Sequence, residues 1–360
     1  MAPHIDATFI IHAGREDYAC FPSLQRHPSG DLYVTFRNAP ELGDGTHTHI
    51  DTRSVGILKC STDDGRTWQQ VGDPIPGHLP QSGVQDPSLT ILADGTFLVT
   101  YFHWRHQPDH PDARSGAIFE GTWVRRSQDQ GETWSEPVFV PVDETKSLAI
   151  SEPAIQQADG ALFLVGYAGM GHGGHAALIS RSEDGGLSWS KPEIIAHDLS
   201  GMVDFQEPAL LDLGGGHLLC VMRAVDRHLT ADEADEQTRR RGLTAWMYQT
   251  HSWDNGHTWE PPTRTAIYGH PPSLIQLEDG RILCSYGYRR DPFGVRACFS
   301  SDSGQSWDVE NEVVLRTDGG GADLGYPSSV QLPDGCILTS YYIHTQTDPL
   351  RRIEATRWKP

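Results

Sequence analysis

An all-β fold, a six-bladed β-propeller with four antiparallel strands per blade and a ring closed by an N-terminal strand, is what this 360-residue sequence predicts. Three observations predict it. An octamer of the form S-x-D-x-G-x-[ST]-W occurs five times, a longer segment built around an X-Pro pair occurs six times, and the chain is rich in turn residues without sustained 3.6-residue apolar periodicity.

The octamers are STDDGRTW (Ser61 to Trp68), SQDQGETW (Ser127 to Trp134), SEDGGLSW (Ser182 to Trp189), SWDNGHTW (Ser252 to Trp259) and SSDSGQSW (Ser300 to Trp307). Asp suits closure of a tight turn through nearby backbone, Gly supplies a positive φ, and Trp offers a large apolar plate to a neighbouring unit. The longer segments run from FPSLQRHPSGDLYVTF through DPSLTILADGTFLVTY, EPAIQQADGALFLVGY, EPALLDLGGGHLLCVM and PPSLIQLEDGRILCSY to YPSSVQLPDGCILTSY. Each reads as two short strands joined by a Gly-containing hairpin, and the aligned prolines (Pro22, Pro87, Pro153, Pro208, Pro272, Pro327) are 55 to 66 residues apart. A third strand leads into each octamer and a fourth follows its Trp. The last unit lacks the octamer and ends one strand short at RIEATRWKP, so the apolar N-terminal ATFIIHA is expected to complete it and remove a free edge. Closure of that kind makes residues 1–360 one domain.

Composition restricts function. A formal charge of −20 opposes phosphate backbones and anionic lipid, so nucleic acid and membrane are not expected partners. A local arginine cluster still permits a small anionic substrate. The six cysteines (Cys20, Cys60, Cys220, Cys284, Cys298, Cys336) show no CxxC spacing and read as buried thiols. HTHID and HWRH offer metal-ligand types without a recognised closed spacing, and neither metal nor cofactor is expected. The N-terminus has no signal-peptide pattern and no 18-residue apolar run occurs, which predicts a cytoplasmic protein unless a leader has been trimmed.

Five such octamers on six four-stranded units resemble the sialidase (neuraminidase) superfamily across essentially the whole chain. The resemblance implies that these Asp boxes join the third and fourth strands on the face away from the active site, where they brace the blades. Chemistry then belongs to the other face, where the innermost strands are expected to start at Phe21, Asp86, Glu152, Glu207, Pro271 (after His270) and Tyr326. QEPALLDLGGGHLLCVMR is similar to the sialidase segment that carries a glutamate and a carboxylate-binding arginine, which map to Glu207 and Arg223. GYPSSVQL is similar to the segment with the tyrosine nucleophile, which maps to Tyr326. A phenol avoids the repulsion that an anionic nucleophile would meet beside a substrate carboxylate, and the glutamate can take its proton. Arg37 matches a second binding arginine and Arg289 or Arg290 a third, since a guanidinium grips a carboxylate with two parallel bonds. The general acid is expected from the loop bearing Asp44 and Asp51, with Asp51 preferred. Asp86, Glu152, His49, His103 and His270 complete the substrate-binding set. One departure stands out: Cys20 occupies the place of the family's first arginine, which implies an incomplete arginine triad.

The function so implied is exo-hydrolysis, with retention, of a terminal acidic or unusual sugar from a carbohydrate substrate. A rival reading rests on His47, His49, His103, His106, His172, His175, His270 and His344, all expected on one face. They resemble the His, Tyr and Arg equipment of propeller polysaccharide lyases and rhamnosidases that act on uronate-containing glycans. A third reading is a non-catalytic carbohydrate-binding propeller.

Overall fold

The structure, a computed structural model, describes residues 4–41, 51–106, 117–142, 148–170, 174–228 and 246–360. These form six four-stranded antiparallel sheets. Blade 1 comprises β2 (Asp17–Arg26), β3 (Leu32–Pro40), β4 (Val55–Ser61) and β5 (Gln69–Gln70); blade 2 comprises β6 (Ser82–Ile91), β7 (Phe97–His106), β8 (Ala117–Ser127) and β9 (Val138–Val140). Blade 3 is β10 (Ile155–Gln156), β11 (Leu162–Gly169), β12 (His175–Ser182) and β13 (Glu193–Ala196), and blade 4 is β14 (Val203–Asp212), β15 (Leu218–Asp226), β16 (Trp246–Ser252) and β17 (Thr263–Tyr268). Blade 5 follows with β18 (Pro272–Gln276), β19 (Ile282–Tyr288), β20 (Gly294–Ser300) and β21 (Val313–Arg316). Blade 6 takes β22 (Gly325–Gln331), β23 (Ile337–Ile343) and β24 (Arg352–Lys359) from the end of the chain and β1 (His4–His12) from its beginning. In that closure Thr8 faces Thr356 and Phe9 faces Ala355. The six-bladed propeller and its N-terminal closing strand are as the repeats predict.

The second strands explain why the sequence reads as apolar runs rather than alternation. Each is covered on both faces by neighbouring blades, so every residue of β19 and of β23 is buried. Polar side chains then stitch the blades together where ladders cannot. The Leu24 N–H donates to Ser328 Oγ at 2.9 Å, the Leu89 N–H to Ser23 Oγ at 3.1 Å, and Thr90 Oγ1 to the Ala154 carbonyl at 2.8 Å. Farther out, Arg126 Nη1 donates to the Gly185 carbonyl and Arg181 Nη2 to the Gly256 carbonyl, both at 2.6 Å, and Gln249 Nε2 donates to the Gly304 carbonyl at 2.7 Å. Each of these reaches from a third strand into the octamer of the next blade.

The five octamers fold alike. In the fourth, Ser252 Oγ donates to Asp254 Oδ1 at 2.8 Å and accepts the Gly256 N–H at 2.8 Å, while Asp254 also accepts the Thr258 N–H at 2.8 Å and the Thr258 hydroxyl at 2.6 Å. The same four bonds recur around Asp63, Asp129, Asp184 and Asp302. Glycine is required twice over at Gly131, whose φ is +94° and where a Cβ would come within 2.1 Å of Leu58 in the preceding blade.

Candidate active site

The X-Pro ring begins differently from what the repeats predict. Phe21, Asp86 and Glu207 lie inside β2, β6 and β14, and Tyr326 is the second residue of β22. All four occupy the left-handed region, with φ of 57°, 45°, 47° and 47°. At each the ladder is interrupted by a bulge, between Cys20 and Ser23, Gln85 and Ser88, Gln206 and Ala209, and Gly325 and Ser328. A non-glycine residue held there costs on the order of 1–3 kcal/mol, and proline next in sequence gives it no helical alternative. Blades 3 and 5 depart from this pattern: Glu152 precedes β10 and belongs to no strand, and the His270–Pro271 bond is cis.

The bulged residues of blades 4 and 6 meet. Tyr326 Oη donates to Glu207 Oε1 at 2.5 Å, and Arg223 Nη1 donates to both Glu207 oxygens at 3.0 Å. Arg223 is the register partner of Gln206, so one ladder rung delivers the arginine to the carboxylate beside it. Arg289 donates through Nε to the Leu324 carbonyl at 3.0 Å, and its guanidinium carbon stands 5.5 Å from the Tyr326 ring centre. Phe21 packs edge-on against Tyr326 at 4.5 Å between centroids.

Burial would push the Glu207 carboxyl up, yet the charges of Arg223 and Arg289, with hydrogen bonds from Tyr326 and Arg223, hold it below its ordinary value. Asp86 goes the opposite way: burial and the charge of Glu207 keep its carboxyl protonated well above the usual range, against Arg37 and a 3.1 Å bond from Gln85 Nε2. One carboxylate and one carboxylic acid thus stand in the same mouth. The Tyr326 phenol is raised by burial, Glu207 and Asp86. His270, 3% exposed, is kept neutral by burial and by Arg223 and Arg289. Both of its ring nitrogens, Arg289 Nη2 and Arg223 Nε are buried without a hydrogen-bond partner among the described residues. Buried donors left in this state await a ligand or water.

The other expected residues divide. Arg37 is fully buried, pairs in register with Cys20 and donates through Nη1 to its Sγ at 3.6 Å, so a guanidinium stands at the level where Cys20 lacks one. Arginines from blades 1, 4 and 5 therefore surround the mouth, while Cys20 keeps the place of the family's first arginine. Of the pair 289 and 290, Arg290 is turned aside: its guanidinium lies 3.9 Å from the Tyr268 ring centre and its Nε bonds the Tyr288 hydroxyl. Asp51 is clamped by its neighbour Arg53, with Oδ1 accepting at 2.8 and 3.0 Å and Oδ2 at 2.7 Å. Those bonds and the charge of Arg37 outweigh burial and lower its carboxyl, which makes it a poor proton donor. Glu152 is half-buried, desolvation raises its carboxyl well above the ordinary range, and it accepts from Ser273 Oγ at 3.4 Å.

Among the described residues the histidines do not converge. His103 is fully buried; its Nδ1–H donates to the Gly83 carbonyl at 2.9 Å and its Nε2 faces His78 Nδ1 at 3.1 Å, so it offers a ligand nothing. His175 lies beside Gln206 and Asp204, and His344 near Gly320. Asp44, His47, His49 and His172, and the side chain of His106, lie outside the described residues.

Sequence reasoning missed Tyr167 and Tyr342. Tyr167 is raised by burial, Glu207 and Asp86, which places it in the cluster's field. Tyr342 donates to Asp323 Oδ1 at 2.9 Å, and Tyr18 and Arg351 bond the other oxygen at 2.8 and 2.9 Å. The signal was present: Arg37, Phe102, Tyr167, Arg223, Gly287 and Tyr342 occupy matching places near the ends of the six second strands and form a second ring.

A family model described as a BNR repeat-like domain matches residues 110–339. This chain belongs to the BNR repeat-like family. The member described here is 24% identical over 309 residues to a sialidase of Micromonospora viridifaciens, an alignment that takes in 82% of this chain and 37% of that enzyme's length. Its fold matches that of a Dyadobacter fermentans protein of unknown function with a TM-score of 0.84, 28% identity and 99% of both chains covered. An α-L-arabinanase of Penicillium chrysogenum, solved with arabinobiose, superposes with a TM-score of 0.70 at 15% identity over 99% of this BNR repeat-like chain and 98% of its own, a likeness of fold alone.

Proposed function

We propose that this protein is an exo-acting, retaining glycoside hydrolase of sialidase-like type that removes a terminal acidic sugar from a glycan. The 2.5 Å contact between Tyr326 Oη and Glu207, with Arg223 gripping the same carboxylate, carries this reading. In the first step Tyr326 oxygen bonds the anomeric carbon, its proton passes to Glu207, and the leaving oxygen takes a proton from an acid. Asp86 is the proton source its environment favours over Asp51, because it is held protonated while Asp51 is ionised. Water then releases the sugar from Tyr326 with the acid acting as base. Arg37, Arg223 and Arg289 against the single ionised Glu207 leave a surplus of positive charge, which suits a substrate carboxylate. His270 and Arg289 Nη2 supply hydrogen-bonding groups to the remainder of the sugar.

A second reading has its own observation. The ionised Glu207 and protonated Asp86 match the divided carboxyl pair of retaining glycosidases, and a neutral sugar such as the arabinose handled by the fold neighbour would need no tyrosine nucleophile. The described histidines His103, His175 and His344 make no contact with the Glu207 cluster, which lends no support to a lyase. Hydrolysis of 4-methylumbelliferyl N-acetylneuraminide and of 4-nitrophenyl α-L-arabinofuranoside, each with Tyr326→Phe alongside, decides. Loss of at least 100-fold in kcat for the variant supports the first reading; turnover of the arabinoside undiminished by Tyr326→Phe overturns it in favour of the second.

A further inference from the structure

Blade 4 breaks the repeat on the octamer face, opposite the candidate active site. The second octamer position is Thr62, Gln128, Glu183 and Ser301 elsewhere, but Trp253 here. The inner hairpin reads Pro-Ser-Gly, Ala-Asp-Gly, Ala-Asp-Gly, Glu-Asp-Gly or Pro-Asp-Gly in the other blades, but Gly214-Gly215-Gly216 followed by His217 in this one. A Cβ at Gly214 or Gly215 would meet nothing within 4 Å, so the hairpin itself leaves this corner open.

The substitutions meet in space. His217 stacks on Trp253 at 3.8 Å between centroids and 17° between planes. The indole N–H donates to Glu260 Oε1 at 3.0 Å, and His217 Nε2 faces His251 Nδ1 at 3.0 Å. One face of the indole is therefore covered and its edge is anchored, yet the residue is 57% exposed, which leaves the second face open to solvent. The octamer turn itself needs no tryptophan there, because four others fold with the same bonds. Exposing a fixed aromatic ring without a packing role is costly in water, and a rigid ring with one free face and polar groups at its rim is how proteins hold the apolar C–H face of a sugar.

We propose that Trp253, supported by His217 and Glu260, forms a second carbohydrate-binding site that stacks a pyranose ring of a polymeric glycan. The hydroxyls of that ring meet the Glu260 carboxylate at the rim. The site is independent of the chemistry at Tyr326 and Glu207: it tethers the protein to the polymer while the opposite mouth acts on chain ends.

Native electrophoresis of the full chain in gels containing arabinan, arabinogalactan, xylan, galactomannan or sialylated mucin tests this, with Trp253→Ala, Trp253→Phe and Glu207→Gln run beside the parent. The parent is retarded in at least one gel, Trp253→Ala weakens that affinity about tenfold or more, Trp253→Phe weakens it less, and Glu207→Gln leaves it unchanged. Retardation in none of the gels, equal retardation of Trp253→Ala, or loss of retardation in Glu207→Gln overturns the proposal. Thermal melting of Trp253→Ala separates the alternatives: lower melting with undiminished retention identifies the stack as a structural cap and also overturns it.

Discussion

The two faces of the propeller use the same repeat in opposite ways. On the octamer face, five blades place Ser, Asp, Gly and Ser/Thr in the same four hydrogen bonds, and the interchangeable members face solvent or a neighbouring blade. On the mouth face, equivalent ring positions hold Phe21, Asp86, Glu152, Glu207, Pro271 and Tyr326, and no two blades do the same thing except in keeping a carboxylate. Both ends contain left-handed non-glycine residues. Uniformity marks the end where the backbone is the product, and divergence marks the end where side chains converge on one axis from remote parts of the chain.

The largest effect expected from this contrast lies at the mouth. Glu207→Ala strands the buried Arg223 charge, and Arg223→Ala strands Glu207; each should cost about 3–5 kcal/mol in urea unfolding. The double variant should cost well below the sum, since it buries neither charge alone. Additive losses near 1 kcal/mol would mean that the pair is solvated rather than desolvated at the mouth.

At the octamer end the stakes are smaller. Asp254→Ala removes an acceptor of three hydrogen bonds at an exposed turn, with an expected small fall in melting temperature and turnover within twofold of the parent. A tenfold loss of turnover would show that the faces are coupled and that the division of labour is wrong.

Much of this division is legible in the sequence. Five octamers and six X-Pro segments specify the blades because each repeats a local turn whose residues are chosen by backbone geometry. Glu207, Arg223 and Tyr326 could be found because they stand at fixed offsets from those repeats. The bulge that swings Glu207 and Tyr326 out of the ladder could not, since proline after each suggests an ordinary extended start. Neither could the choice between Arg289 and Arg290, which depends on whether Tyr268 or Tyr326 lies nearby, nor the clamp of Arg53 on Asp51, which reverses that residue's expected role. Tyr167 and Tyr342 were legible only by aligning second strands as well as first.

Acid and base should separate the faces more finely. Asp129, Asp184 and Asp254 are lowered to about 2, chiefly by the hydroxyls of Thr133, Ser188 and Thr258, and at Asp63 the bonds from Thr67 overcome burial to the same end. A depressed folded value gives stability that is present above the ordinary value of 3.8 and is lost as pH falls toward 2. Asp86 and Glu152 are raised by burial, so their contribution has the reverse sign: it is present at low pH and lost as pH climbs above the ordinary carboxyl values. Melting temperature against pH should therefore fall steeply below pH 4 and decline gently above pH 5, and Glu152→Gln should flatten the upper limb alone. A variant that flattened the lower limb instead would assign the buried carboxyl the wrong protonation state.

The smallest effect tests whether left-handed residues mean the same thing at both ends. Ser303, with φ of 60°, precedes the octamer Gly304, where the third blade has Gly185 with φ of 71°. Its side chain accepts and donates no hydrogen bond among the described residues, so Ser303→Gly relieves the Cβ strain while enlarging the freedom of the unfolded chain. The first term is about 1 kcal/mol and the second somewhat less, which leaves a gain of about 0.5 kcal/mol or none. Phe21, at φ of 57°, is the matching case at the mouth, but its ring packs on Tyr326 and Tyr342. Phe21→Gly relieves the same strain and should still lose about 3 kcal/mol of stability through the cavity it leaves. A urea midpoint that rises slightly or stays put for Ser303→Gly and falls for Phe21→Gly is what the contrast requires. A Phe21→Gly protein as stable as the parent would mean that the left-handed turn at the mouth is held for the backbone alone, as it is on the octamer face.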